Sequence, residues 1–580
     1  MTQNASFVRK VIYITTIAVL LMPLAYLSQP AVYTKQGTSQ GGKLANLRKS
    51  YGLSQAELGD IDPASDSMRL ALFGLDGVAA NILWLMAHEY KKKKNWEAVD
   101  ATTKQIVKLQ PHFKSVWDFQ AHNLSYNISV EFDNYEHRYL WVKKGIEFLI
   151  EGSRKNRGEP ILYWHLGWYT GQKLGVSDEK TQFRRMYRVD KDFHNTFREN
   201  GIDVDQALGA DNKPDNWFTA HLWFAKGRDF ADASGRPIRG KSPLIFHNQP
   251  AMSLINGCSA MEKEGHLGDF AILKWRTAGE EYARYGSRPI PTSWGQVIKL
   301  NDLESIEDRA KQNVAALDAL APGVRLKLAT EKFGKLTPAE QVVLAKEPSE
   351  RTPAEEMQAR SLQDHNRVAD TEVAAKAPAE NRVKARLLAD QIVEDQVTVL
   401  RINNYRGIIN FNFWRARCEA EQLRESLAAR DHLFKAEDAL RKTDLNLAKS
   451  EYEQAFQAWS FVYKKYPILM DNAESQDLVD SCTRYNDVLG QLDEEFPADF
   501  VLNDLLDLFD SGKKLRALQA KPAKTPKTDK PTEDAPKDDK PAEDKPKDDK
   551  PANTPNTPKE EKPTDDKPAA SDKANLPGND

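Results

Sequence analysis

The stretch Gly235-Arg-Pro-Ile-Arg-Gly240-Lys241-Ser242 spells the G-x-x-x-x-G-K-S pattern of a phosphate-binding loop. In such a loop backbone amides cradle phosphate oxygens, the lysine reaches the terminal phosphates and the serine holds magnesium. The flanks oppose that chemistry. A buried strand should precede the loop and a helix should open at the lysine, yet GRDFADAS comes before it and Pro243 and Pro250 come after. The eleven histidines are scattered, and the chain has no His-Glu-x-x-His, Cys-x-x-Cys or Gly-x-Ser-x-Gly pattern. Catalytic residues, metal ligands and cofactors are therefore not expected. Lys91 to Lys94 form a basic cluster at a helix end, where cations complement the dipole, and a net charge of −3 gives no general attraction to nucleic acid.

The elements that would position functional side chains show in the spacing of small and apolar residues. Leu83, Met86, Ala87, Tyr90, Val99, Thr103, Ile106 and Pro111 occupy places four, seven, eight, eleven, twenty, twenty-four, twenty-seven and thirty-two of a 34-residue helix–turn–helix frame. A second frame from 114 places Trp117, Ala121 and Leu124 correctly. Its second helix, marked by Gly145, Leu149 and Gly152, comes about 12 residues late. A third first-helix follows, with Tyr163, Leu166 and Gly167 at places four, seven and eight. Ala87, Ala121 and Gly167 share one place, as close helix crossing requires. Ala455, Trp459, Val462 and Pro467 fit the second half of the same frame far downstream.

These residues resemble the tetratricopeptide-repeat family over roughly 80–175 and again over 400–470. The resemblance implies an all-α, TPR-like α-solenoid that binds other proteins and is not an enzyme. Places two, five, nine and twelve of each first helix would then line a concave face. They are Asn81, Trp84, His88 and Lys91; Ser115, Asp118, His122 and Ser125; and Ile161, Trp164, Trp168 and Gly171. Trp84, Trp164 and Trp168 would floor a groove for an extended peptide or a helix, with His88, Lys91, Asp118, His122 and Ser125 around them. His88 and His122 share the ninth place and read as groove-lining polar residues. The alternative is that the roughly 12-residue insertion, or residues 176–298, cover this face and the tryptophans are core. The segments DGVAANILWLMAHEYKKKKNW, RPIPTSWG and INFNFWRARCEAEQ also resemble a group of membrane-anchored planctomycete proteins, some labelled "iron-responsive element". That label names an RNA hairpin and implies no activity.

The remaining organisation follows from composition. Val11 to Leu27 is an uncharged apolar run preceded by Arg9 and Lys10. It predicts a single-pass inner-membrane anchor over 1–30, with the N-terminus cytoplasmic and the body extracytoplasmic; a cleaved signal peptide is the rival reading. A juxtamembrane stalk follows over 31–75. Residues 76–298 read as a repeat-like helical domain that ends in a Trp-rich irregular segment, and ten of the twelve tryptophans fall between 84 and 294. A charged helical connector spans 299–400, where Thr337-Pro-Ala-Glu340 and Thr352-Pro-Ala-Glu355 spell two capping boxes. A second TPR-like unit spans 401–515. The tail 516–580 is rich in Lys, Pro and Asp, has no apolar core and is expected to be disordered. Three cysteines make no disulfide framework and read as buried thiols. The expected partners are an unidentified protein or peptide and the membrane. An enzyme or small-ligand site within 176–298, and a purely structural envelope spacer, are the competing readings.

Overall fold

The computed structural model describes residues 76–519, apart from 236–237 and 473–474, and scattered residues between 7 and 47. Most of the Val11–Leu27 run beyond residue 17, most of the 31–75 stalk and the tail after 519 lie outside the described residues. Among the described residues no helix is long and apolar enough to cross a membrane.

The molecule is all-α and built from helix pairs, consistent with a helical repeat. Helices α1 (Asp76–Lys92) and α2 (Trp96–Leu109) form the first pair. Asn95 caps α2 by accepting from the amide of Ala98 at 3.2 Å. The small and branched places Ala87, Val99, Thr103 and Ile106 are all fully buried between them. The second pair is α3 (Lys114–His122) with α4 (Tyr135–Lys155). A methyl group on Gly145 would stand 2.8 Å from the Ala121 carbonyl, and one on Gly152 would stand 2.7 Å from Trp117 Cγ. These two glycines therefore set the separation of the pair. The Trp117 indole donates to the carbonyl of Pro111 at 2.9 Å, tying the end of one pair to the start of the next.

The late second helix has a structural cause. The chain leaves α3 through a π turn, Asn123–Ile128, and a 3-10 turn, Ser129–Glu131, which absorb the extra residues as a continuation of the first helix. A second π turn, Tyr169–Lys173, follows α5 (Pro160–Trp168). Helix α5 does not pair with its successor in sequence. Helices α6 (Lys180–Val189) and α7 (Lys191–Glu199) intervene, and α5 packs on α8 (Asn216–Ser234). Gly167 faces Phe224 and Gly227 faces Tyr163 in that crossing.

Residues 176–298 are thus mostly helical rather than irregular. Asp190 caps α7 and Asp215 caps α8. Helix α9 (Pro243–Lys263) opens with Ser242 as cap and Pro243 in the first turn, and α10 (Asp269–Gly286) returns along it. Of the tryptophans in this segment, Trp217, Trp223 and Trp275 are buried core and Trp294 is exposed. Buried Arg184 locks α6 to the start of α8 and the end of α9. It donates to Asp215 at 2.9 Å, Asn216 at 2.6 Å and Glu264 at 2.8 Å. A two-residue hairpin pairs Ile290–Pro291 with Val297–Ile298.

The connector contains α11 (Leu303–Leu320), α12 (Val324–Phe333), α13 (Pro338–Ala345), α14 (Pro353–Asn366), α15 (Asp370–Ala375) and α16 (Arg382–Ile408). Both capping boxes form. Thr337 and Thr352 each accept from the amide three residues on, while Glu340 and Glu355 each accept from the threonine amide at 2.9 Å. Helices α11 and α16 pack along each other through Leu317, Ala385, Ala389 and Ile392. The final unit comprises α17 (Phe411–Ala420), α18 (Arg424–Arg441), α19 (Leu445–Lys465), α20 (Gln476–Gln491), α21 (Asn503–Leu506) and α22 (Asp510–Gln519). Its closest pair, α18 with α19, brings together the alanines 429, 436, 439 and 448. Helix α17 lies on α10. All three cysteines are buried free thiols, and burial pushes Cys418 up to about 12.

Candidate functional site

Two places gather polar and aromatic side chains on a surface that a partner could reach. The first is formed by α1, α3, α5 and the π turns after α3 and α5. Trp84 of α1 packs on Phe119 with ring centres 4.8 Å apart, and His88 stacks on the same ring at 5.0 Å. The Lys91 ammonium sits 5.0 Å from the Phe119 centroid, a cation–π contact. Along α3, Asp118 bonds to His165 of α5 and accepts from the Tyr169 hydroxyl at 3.4 Å. His122, one helical turn on, stacks on Tyr126 at 4.9 Å. Burial against its neighbours, and then the charge of Lys91, lower the His122 pKa, so this ring is neutral at pH 7. Trp168 lies near the Tyr126 hydroxyl, and Lys173 lies over the Tyr126 ring at 4.6 Å.

Six of the eight expected groove residues therefore share this face: Trp84, His88, Lys91, Asp118, His122 and Trp168. Two do not. Ser125 is fully buried and donates to the carbonyl of Val142 on α4. It falls inside the π turn, whose wider winding shifts every later side chain around the axis, so Tyr126 takes the outward position. Gly171, expected on the same face, is turned by the second π turn against Trp217. Trp164 is only 4% exposed. Helix α8 covers it, with Phe224 edge-on at 5.7 Å, and Trp168 stacks on it at 5.3 Å. For Trp164 the covering of the face by residues 176–298 is what the structure shows. Phe119 and Tyr126 are the groove residues that frame arithmetic missed, and Lys173 lies buried against the Tyr126 ring.

The phosphate-loop pattern has none of its required context. Helix α8 precedes it instead of a strand, and α9 begins at Pro243 with Ser242 spent on capping Ile245. Lys241 Nζ lies 4.5 Å over the Trp164 ring. Among the described residues no group of three or more His, Cys, Asp or Glu side chains is placed to hold a metal ion.

The second place is a cleft of ≈ 530 Å³ where α9 meets α17, α18, α19 and α20. Its inner end is a buried ionic nest. Arg430 donates through Nε to Glu421 at 2.8 Å, and the same Nε is 3.3 Å from Glu262. Arg417 lies 3.7 Å from Glu421 and donates to Ser259 at 3.1 Å. Its guanidinium carbon lies 5.4 Å from the Trp275 ring centre and 5.6 Å from that of Trp414. Trp275 donates to Glu262 at 2.6 Å. Burial pushes Glu262 up to about 7 against the opposing pull of Arg430. Burial would also raise Glu421, but Arg430 and its hydrogen bond hold that carboxyl below the ordinary range. The sequence signal for the nest is an Arg-x-x-x-Glu pair, Arg417 and Glu421, set inside the aromatic stripe FNFWRARCEAEQ. The stripe carries a second pair at the same spacing, Arg415 and Glu419, which is not buried, so the pattern alone does not mark which pair needs buried partners.

No protein-family model matches the chain, and neither the curated proteins nor the solved structures yield a match. The functional reading therefore rests on the two sites.

Proposed function

We propose that the chain is a membrane-anchored, TPR-like interaction scaffold whose α1–α3–α5 face binds an extended segment of a partner protein. The observation that carries this reading is the set of ring and polar side chains on these first helices: Trp84 and His88 on Phe119, then His122 on Tyr126, with Trp168 near the Tyr126 hydroxyl. Rings supply contact area at small entropic cost, and the polar edges between them fix register. Lys91 lies on this band, while Asp118 is engaged by His165 and Tyr169. The band therefore favours a segment carrying carboxylates beside apolar side chains. In this reading the apolar run at 11–27 anchors the protein in the inner membrane, with the helical body extracytoplasmic and the tail a solvated spacer. No catalysis is assigned to it.

Site-specific photocrosslinking tests the proposal in native membranes. A photoreactive residue at His122 should capture a defined partner, and one at exposed Lys104 on α2 should not. The His122 adduct should disappear when Phe119→Ala and Lys91→Glu are introduced together into protein whose helical signal is unchanged. Equal capture at both positions, or capture that survives the double substitution, would sink the scaffold reading.

A further inference from the structure

The end helix of a solenoid normally keeps a polar outer side, because no further repeat covers it. Helix α1, which opens the described helical body, departs from that rule. Ala80 and Ala87 are buried on the side that meets α2, and the groove side carries Trp84, His88 and Lys91. The remaining side is apolar as well. Val78, Ile82, Leu85 and Met86 recur along it at helical spacing and are between 40% and 68% exposed. With about 3.6 residues per turn, this stripe lies opposite the buried alanines and about a third of a turn from Trp84 and His88. Four large apolar side chains held in water on one helix face mark an interaction surface. The chemistry changes at the C-terminal end of the stripe. Lys92, Lys93 and Lys94 are exposed there beside Lys91, and the four lysines outnumber the acids of this end, Glu89, Glu97 and Glu131. Glu89, in line with the stripe, pairs with Lys92 at 2.8 Å, and Glu131 pairs with Lys94 at 3.7 Å. Both are exposed pairs, which a competing anion opens at little cost.

We propose that this face of α1 docks on a bilayer surface carrying anionic phospholipid, with the four apolar side chains in the interface and the lysines on headgroup phosphates. An apolar stripe beside a basic cluster is the composition of a helix that lies in the plane of a membrane. The proposal rests on the anchored reading of residues 11–27, because residues 28–75 then hold α1 near the bilayer and a modest affinity suffices. A second copy of the chain fits the stripe less well. A stable homodimer buries about 800 Å² per partner, and four side chains on one helix fall well short of that. Docking by this side keeps Trp84 and His88 clear of the lipid, so the groove stays open.

The test uses the full-length protein in nanodiscs whose phospholipids carry a photoreactive diazirine on the acyl chain, with adducts located by peptide mass spectrometry. In discs of phosphatidylglycerol and phosphatidylcholine, the α1 peptide should be labelled and the exposed side of α2 around Lys104 should not. Ile82→Gln with Leu85→Gln should remove the α1 adducts, and because both side chains are exposed the variant keeps its fold. Each lysine near an anionic surface contributes about a fivefold preference, so Lys93→Gln with Lys94→Gln should lower α1 labelling severalfold. Pure phosphatidylcholine or high salt should do the same. The peptide covering residues 11–27 reports on the anchor in the same experiment. Adducts at 11–27 without adducts on α1 would overturn the docking proposal and leave the anchor standing. Adducts on α1 alone would support docking and remove the anchor, and adducts at neither would overturn both. Labelling of α1 that survives the glutamine pair, or that is equal in pure phosphatidylcholine, would also overturn the proposal.

Discussion

Removing Arg430 tests whether the nest beside the cleft is held together by charge. Arg430→Met keeps an unbranched stem of similar reach but deletes the donors to Glu421 and Glu262 and the cation 5.2 Å over Trp459. Glu421 is then left buried with Arg417 at 3.7 Å as its nearest cation. Stripping one partner from a buried ion pair costs about 3–5 kcal/mol. The carboxyl has an escape that sets a ceiling. Taking up a proton at pH 7 from an ordinary Glu pKa of about 4.3 costs about 1.4 kcal/mol per unit, or about 3.7 kcal/mol in all. The loss at pH 7 should therefore lie near 3–4 kcal/mol. At pH 5 the same escape costs only about 1 kcal/mol, so most of the penalty should vanish on acidification.

A chain of this size and modularity is poorly served by a single unfolding midpoint, so hydrogen exchange resolved by peptide is the appropriate assay. Opening free energies of peptides from α17, α18 and the end of α9 should fall in Arg430→Met at pH 7, with α1–α4 unchanged. The double substitution Arg430→Met with Glu421→Gln should recover most of the loss, because the buried group no longer needs a counter-ion. A loss that is the same at pH 5 and pH 7, or that Glu421→Gln does not relieve, would mean that packing against Trp459 dominates and the electrostatic argument is wrong.

Three further expectations concern other parts of the molecule. Gly167→Ala places a methyl 2.8 Å from Phe224 Cγ at the α5–α8 crossing, and should lower the stability of both helices by about 1–3 kcal/mol. Adding Phe224→Leu should restore part of it, and peptide-resolved exchange reports both. Thr352→Ala removes a capping-box acceptor and should cost about 1 kcal/mol. The loss should be confined to exchange in the first turn of α14, and loss elsewhere would count against the capping assignment. Hydrogen bonds from Arg406 at 2.9 Å hold Glu304 down to about 2. A depressed folded-state pKa contributes stability above the unfolded value near 4.5 that is lost as pH falls toward 2. Acid titration of α16 exchange should show that loss in the native protein, and it should be absent in Glu304→Gln.

The local grammar of this chain was legible because it depends on neighbours a few residues apart. Thr-Pro-Ala-Glu must cap a helix wherever it is exposed, and both copies do. Ala87, Ala121 and Gly167 mark close crossings whatever the partner, since only a small side chain permits them. The identity of the partner is another matter. Gly167 meets Phe224 of α8, across the whole of α6 and α7, and nothing near Gly167 announces that insertion. The ionic nest is hidden for the same reason. Arg417 bonds to Ser259 and Arg430 contacts Glu262, each pair separated by more than a hundred residues. Single-sequence periodicity places Arg417 and Glu421 on one side of a helix but does not show what faces them.

The two π turns show how a correct frame can still misplace a binding residue. A repeat register assumes that winding is uniform, so place twelve of a first helix should look out as place nine does. In α3 the winding changes after His122, when the hydrogen bonding shifts from four residues to five. His122 precedes the change and joins the face, whereas Ser125 follows it and turns toward Val142. Tyr126 then stands beside His122, within reach of Trp168 and Lys173 from the next first helix. The π turn thus replaces a hydroxyl with an aromatic ring at the centre of the face and links two successive helices through it. If that face binds the partner, Tyr126→Ala should abolish crosslinking at His122, whereas Ser125→Ala should leave it intact. The opposite result would place the partner on a different surface of α3.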